Sequence, residues 1–313
     1  ELLALAKANG VSLLFEASVG GGIPVLHPLS QCLGANEILE VRGILNGTTN
    51  YILTKMSSQG SSYEEALKEA QSLGYAEFNP TADVEGFDAT YKLSILSSLA
   101  FNTKVSFENV HREGITAITK EDILYGKEMG YTLKLLAIGK NTKKGIEVRV
   151  HPTYVSNSNP IASVNDSFNA VHLVGDAVGE IMLYGRGAGA LPTGSAIVSD
   201  VIFAAKHPEY YYASFDNAKD ASKRTKFVSD FNSKYFIRLT VKDTAGVLSK
   251  ISGTFGKNKV SIKEVKQYSG VDGKVPVVIV THEANESVIT KTLDKIKSLD
   301  SVYSVDSLIR LED

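Results

Sequence analysis

The chain has 313 residues, 43% of them hydrophobic and 22% charged, with a formal net charge of −2. This is enough apolar material for two or three cores, and it gives no electrostatic case for nucleic acid or an anionic membrane as partner. A single cysteine, Cys32, and six scattered histidines exclude a disulfide framework, a thiolate cluster and a helical zinc motif, and no apolar run approaches the roughly 20 residues that span a bilayer. The composition therefore points to a cytoplasmic protein.

Glu1 to Asn9 carries a helical apolar face at Leu2, Leu3, Leu5 and Ala6, with Asn9-Gly10 as its stop. Val11–Phe15 reads as a buried strand. A helix followed by a buried strand is the tail of a parallel-sheet unit. Residues 1–15 are accordingly expected to be the remnant of an N-terminal domain whose other strands are not in this sequence.

Residues 16–212 read as one α+β domain with a mixed sheet and helices on one face. Strands are expected at 37–45, 133–139, 146–155, 170–174 and 180–183. Helices are expected from Gly47 to Met56, from Tyr63 to Leu73 with Ser62 as cap and Gly74 as stop, and from Gly86 to Phe101. Leu93, Leu96, Leu99 and Ala100 have helical spacing on the last of these. A further helix is expected over Ser195–Ala205. Residues 213–233, polar and lysine-bearing, read as a linker. Residues 234–313 then give strand, helix, strand, strand, helix, strand. That order predicts a four-stranded antiparallel sheet with two helices on one face, a ferredoxin-like βαββαβ unit.

Four stretches could carry chemistry. The first is Gly74-Tyr75-Ala76-Glu77 with Asp83, Asp88 and Lys92. Asp88 and Lys92, four apart on a helix, share a face. The carboxylates could grip an ammonium group, and the lysine could polarise a carbonyl or donate a proton. By spacing alone, the same pair also reads as a surface ion pair worth a few tenths of a kcal/mol. The second is Glu16 to Pro24, where three glycines permit close backbone approach. Its carbonyls and the Glu16 carboxylate could bind a hard cation, or the stretch could be a plain turn. The third is Gly185 to Gly194, glycines ahead of a helix, suited to an anionic ligand or to a tight turn. The fourth is Asp243-Thr244-Ala245-Gly246, where Asp243 or Thr244 caps a helix and Gly246 allows close approach of a ligand or a second chain.

The order of these stretches carries more than each alone. Glu-Ala-Ser-Val-Gly-Gly-Gly-Ile-Pro at 16–24 comes first, then Gly-Ile-Leu-Asn-Gly-Thr-Thr-Asn-Tyr-Ile-Leu at 43–53 and Leu-Gly-Tyr-Ala-Glu ending at Glu77. Asp88, Lys92 and the Gly-Ala-Gly-x-x-Pro-Thr stretch at 187–193 follow. The set resembles homoserine dehydrogenase over essentially the whole chain, and the C-terminal unit resembles an ACT domain. The resemblance implies NAD(P)-dependent interconversion of L-aspartate 4-semialdehyde and L-homoserine, an oxidoreductase step in threonine, methionine and isoleucine biosynthesis. It implies Lys92 as catalytic residue, and Glu77, Asp83, Asp88, Gly74 and Thr48 as substrate-binding residues. It implies Gly189 as a cofactor contact for NADP or NAD, and a monovalent cation such as sodium at Glu16, Val19, Gly21 and Ile23. It further implies an amino-acid effector such as threonine near Asp243 and Gly246, and a homodimer or homotetramer. The family's Rossmann domain and a second lysine have no counterpart in these residues, so the 313 residues alone are expected to turn over poorly. The competing reading is a non-catalytic amino-acid sensor, an ACT unit fused to a degenerate dehydrogenase domain.

Overall fold

The computed structural model describes residues 2–208, 210 and 226–312. The chain divides into two compact units. One comprises Glu1–Ile123, Leu133–Pro152 and Asn159–Ser229, and the other Leu124–Thr132, Thr153–Ser158 and Asp230–Asp313.

In the first unit, α1 (Leu2–Ala8) is followed by residues 11–15, which form no strand. The expected buried strand is corrected here. No strand is assigned over these residues, Val11 is exposed, and Ser12 Oγ donates to the carbonyls of His207 and Pro208. A short helix that the sequence did not announce, α2 (Leu26–Gln31), precedes β1 (Ile38–Ile44).

The helices α3 (Gly47–Gln59), α4 (Tyr63–Ser72), α5 (Thr81–Val84) and α6 (Phe87–Ala100) come next. Ser62 and Glu65 form a reciprocal capping box at the start of α4. Gly74 follows the end of α4 with φ +76°, the left-handed conformation that closes a helix and that a Cβ would oppose. The single turn α5 is not announced by the sequence, since four residues are too few to show a period.

After β2 (His111–Arg112) and α7 (Lys120–Glu128) come β3 (Tyr131–Thr142), β4 (Gly145–Ser156), β5 (Phe168–Gly175) and β6 (Gly179–Arg186). The sheet order is β6-β5-β1-β3-β4, and β2 pairs parallel to β4. The β1–β3, β1–β5 and β5–β6 pairs are antiparallel, so the sheet is mixed, as expected. α3 packs on β5 and α6 on β1. The core between them holds Val41, Ile44, Ile52, Leu53, Leu93, Leu96, Ile138 and Val171, each 1% exposed or less.

The final helix of this unit, α8 (Ala190–Lys206), starts five residues before the expected Ser195. Pro192 lies in its first turn, where a proline loses no intrahelical bond.

The second unit contains β7 (Asn232–Lys242), α9 (Val247–Lys257), β8 (Ile262–Gln267), β9 (Lys274–Thr281), β10 (Ala284–Asn285), α10 (Glu286–Lys297) and β11 (Val302–Glu312). The sheet order is β11-β7-β9-β8, with every pair antiparallel. Alternate residues of β7, namely Tyr235, Ile237, Leu239 and Val241, meet Val247, Ile251 and Phe255 of α9 and Ile289, Leu293 and Ile296 of α10 in one core. This is the expected βαββαβ unit. Of the expected linker 213–233, residues 213–225 lie outside the described residues. Beyond them, Phe227 bridges to Ile146 and Phe231 is buried. No helix of the described residues is long and apolar enough to cross a membrane.

Candidate active site

The end of β1 and the start of α3 organise the site. Asn46 caps α3 by accepting from the Thr49 N–H at 2.9 Å. The Asn46 Nδ2 donates to Asp83 Oδ1 at 2.7 Å and to Asp88 Oδ2 at 2.8 Å. Lys92 Nζ donates to Asp88 Oδ2 at 2.7 Å and to the Leu45 carbonyl at 3.0 Å. The helical spacing of Asp88 and Lys92 thus does produce the expected pair, and the pair is not isolated on a surface. Two residues of one corner, Leu45 and Asn46, tie it in place.

These groups line an open cleft of about 600 Å³. Thr48, Gly74, Tyr75, Glu77, Asp83, Asp88 and Lys92 line it together with Ser167 and Arg186 to Gly189. Thr48 Oγ1 donates to the Tyr75 carbonyl at 2.6 Å, and Gln71 Nε2 to the Glu77 carbonyl at 3.0 Å, so the Gly74–Glu77 segment is anchored through its main chain. The Glu77 carboxyl is exposed at the rim. Burial pushes the Asp83 carboxyl above the usual carboxylate range and neighbouring Asp88 adds to this, while the Asn46 amide works against it. Asn46, Tyr75 and Arg186 lie in stretches that the sequence singles out, whereas Ser167 does not. For Asn46 a signal existed, a polar residue between a strand and a helix, but that pattern speaks first of capping.

Gly187 to Gly189 line the same cleft as Lys92. Gly189 is the N-cap of α8, φ +118°, and no side chain caps the helix. The positive end of this 17-residue helix thus carries no cap from its own N-cap residue, and Ala190 and Leu191 supply its first N–H groups. This donor set fits the polar or anionic groups of a dinucleotide reaching the cleft.

Glu16, Val19, Gly21 and Ile23 lie in one loop that meets this stretch. Gly22 N–H donates to the Arg186 carbonyl at 3.0 Å, and a Cβ on Gly21 would lie 2.3 Å from the Gly187 oxygen, so only glycine admits the approach. The Glu16 carboxylate is buried and accepts from the N–H groups of Val25 at 2.5 Å, Leu26 at 2.8 Å and His27 at 2.7 Å. It caps α2, so its oxygens are already bonded within the protein. The described residues contain no group of three or more histidine, cysteine or acidic side chains arranged to hold a metal ion.

In the second unit, residues 241–249 and Gln267 line a pocket of about 370 Å³ that includes Asp243 and Gly246. The expected cap is corrected. The N-cap of α9 is Gly246, φ +86°, with no side-chain cap bond, because Ala245 and Gly246 form a turn that holds Asp243 and Thr244 short of the helix.

A family profile described as homoserine dehydrogenase matches residues 24–202, and one described as ACT domain matches residues 235–301. The chain is 44% identical to a homoserine dehydrogenase of Bacillus subtilis, over all of this chain and 73% of that protein. It is 43% identical to one of Mycobacterium tuberculosis, again over all of this chain and 73% of the relative. Among solved structures, a homoserine dehydrogenase from Thiobacillus denitrificans superposes with a TM-score of 0.92 at 40% identity, covering 99% of this chain and 72% of that one. A hyperthermophilic archaeal homoserine dehydrogenase mutant in complex with NADPH superposes with a TM-score of 0.58 at 32% identity, over 66% of this chain and 60% of that one. The reading as a non-catalytic sensor finds no support in these similarities.

Proposed function

The chain belongs to the homoserine dehydrogenase family, NAD(P)-dependent oxidoreductases that interconvert L-aspartate 4-semialdehyde and L-homoserine, and we propose that its 46–92 cleft is where the amino-acid substrate reacts. The observation that carries this is the Asn46–Asp83–Asp88–Lys92 network, tied to one strand end and open to a cleft also lined by Gly189.

Lys92 is the catalytic residue in this reading. An ammonium has three donors, and Asp88 and the Leu45 carbonyl take two. The third serves the substrate oxygen, whose negative charge grows as the aldehyde is reduced and which then takes a proton from Nζ. In the oxidative direction Nζ receives that proton back. Asp88 orients the ammonium, and Glu77, with Asp83, holds the α-ammonium of the amino acid so that its far end faces Lys92. Thr48 and Gly74 set the backbone around the Tyr75 carbonyl. NADP or NAD, when bound, supplies or accepts the hydride. Gly189 and the α8 amides would border it, a role supported by the absence of a side-chain cap.

A monovalent cation such as sodium would sit in the 16–23 loop. Since the Glu16 carboxylate is engaged by three N–H groups, main-chain oxygens of Glu16, Val19, Gly21 and Ile23 would be its ligands. The pocket at Asp243 and Gly246 would take an amino-acid effector, threonine being the pathway's end product. The catalytic part spans 16–212 and the regulatory part 234–313, and the protein works in the cytoplasm as a homodimer or homotetramer.

Kinetics of two variants test the roles. Glu77→Gln should raise KM for L-homoserine by about tenfold or more with kcat less affected, as expected when a charged hydrogen bond to bound substrate is lost. Lys92→Ala should lower kcat by about a hundredfold or more. Unchanged KM in the first and unchanged kcat in the second would reject the assignment.

A further inference from the structure

Asn46 is 5% exposed, and every hydrogen-bonding site on its amide is used. The oxygen accepts from the Thr49 N–H at 2.9 Å and from Thr49 Oγ1 at 3.0 Å. The nitrogen gives one hydrogen to Asp83 Oδ1 and one to Asp88 Oδ2. The orientation of this amide is forced. A backbone N–H can only donate and an ionised carboxylate can only accept, so the oxygen must face Thr49 and the nitrogen the two acids. The preceding residue, Leu45, takes the Lys92 ammonium on its carbonyl. One strand end therefore touches all three charged groups.

We infer that Asn46 is a positioning residue for the reaction: its amide holds Asp83 and Asp88 as a fixed pair beside Lys92. This rests on reading the cleft as the substrate site. Two carboxylates this close, with only one ammonium between them, repel, and without donors one of them takes up a proton. Hydrogen bonds to the charged form oppose that. The groups facing the pair are Asn46 and Thr48 from α3 and Lys92 from α6, with Glu77 and Arg186 on the cleft walls. Lys92 bonds Asp88 directly, so Asp83 depends on Asn46 more than Asp88 does. Burial already raises the Asp83 carboxyl, which leaves it the member most easily neutralised. A helix cap and a charge clamp are thus one side chain, and substitution can separate them.

The experiment uses the full-length enzyme with its nicotinamide cofactor and L-homoserine, and the variants Asn46→Asp, Asn46→Ser and Lys92→Ala. Asp and Ser both cap helices well, so α3 keeps its start. Asp supplies no donor and adds a third carboxylate, whereas Ser offers at most one donor. The acid limb of the kcat/KM profile should move to higher pH by about one unit or more in Asn46→Asp, and in the same direction in Asn46→Ser. At neutral pH kcat/KM should fall by about ten- to a hundredfold in Asn46→Asp. Acid limbs that superimpose on wild type in both variants would overturn the proposal, and if Asn46→Asp does not fold, Asn46→Ser decides alone. Wild-type turnover in Lys92→Ala would instead overturn the reading of the cleft, and with it the proposal.

Discussion

Replacing Asp88 by asparagine separates the two readings of the Asp88–Lys92 pair. The substitution keeps the shape, and the new side-chain oxygen still accepts from Asn46 and Lys92. What is lost is charge. If the pair were only a helical i,i+4 ion pair, with side chains 31% and 20% exposed, its loss would cost about 0.3–0.5 kcal/mol. A midpoint shift of at most about 2 °C would follow, and activity would be untouched. If Asp88 orients the ammonium that meets the substrate oxygen, a charge-assisted bond of 2.7 Å becomes a neutral one. That difference is about 1–1.5 kcal/mol in the transition state, or about five- to tenfold in kcat. The assay is steady-state oxidation of L-homoserine, followed by absorbance of the reduced nicotinamide, with thermal unfolding in parallel. A kcat within about twofold of wild type would refute the reasoning, because it would leave the charge with no task beyond the ion pair.

Lys134 supplies a pH prediction. It is buried against the carbonyl of Val164 and the side-chain oxygens of Asn50 and Asn165, and burial pulls its amine down to about 8. A depressed amine favours the folded state once it is neutral, so stability should rise between about pH 8 and the unfolded value near 10.5 and be lost as pH falls through 8. The gain relative to Lys134→Met should approach about 3 kcal/mol by chemical denaturation, and a flat difference across that window would contradict it. Asp83 runs the other way. Its raised carboxyl contributes stability below the ordinary carboxylate range that is lost as pH rises through the raised value, so Asp83→Asn should unfold no earlier than wild type at neutral pH while KM for L-homoserine rises. Ser62→Ala removes the capping box of α4 and should cost about 1 kcal/mol with kcat unchanged.

What could be read from the sequence follows from which signals are local. Capping and periodicity are local, so α4 with Ser62 and Gly74, α6 with its leucines, and all of the βαββαβ unit were expected close to where they lie. Asp88 and Lys92 share a helical turn, so their contact was legible too. Partners far apart in sequence were not. Nothing near Asn46 announces that its amide reaches 37 residues to Asp83 and 42 to Asp88. The bonds between the Glu16 carboxylate and the amides of Val25 to His27 were not legible either, because they depend on a six-residue helix too short to show a period. Val11–Phe15 looked like a strand by apolarity alone, but a strand also needs a neighbour to bond, and that is not a property of the segment itself.

The most direct measurement is a crystal structure of the full-length enzyme with L-homoserine bound. The account predicts density in the cleft between Thr48, Tyr75 and Gly189, with the hydroxyl within hydrogen-bond reach of Lys92 Nζ and the α-ammonium against Glu77. Homoserine bound elsewhere, or reversed so that its hydroxyl faces Glu77, would contradict it.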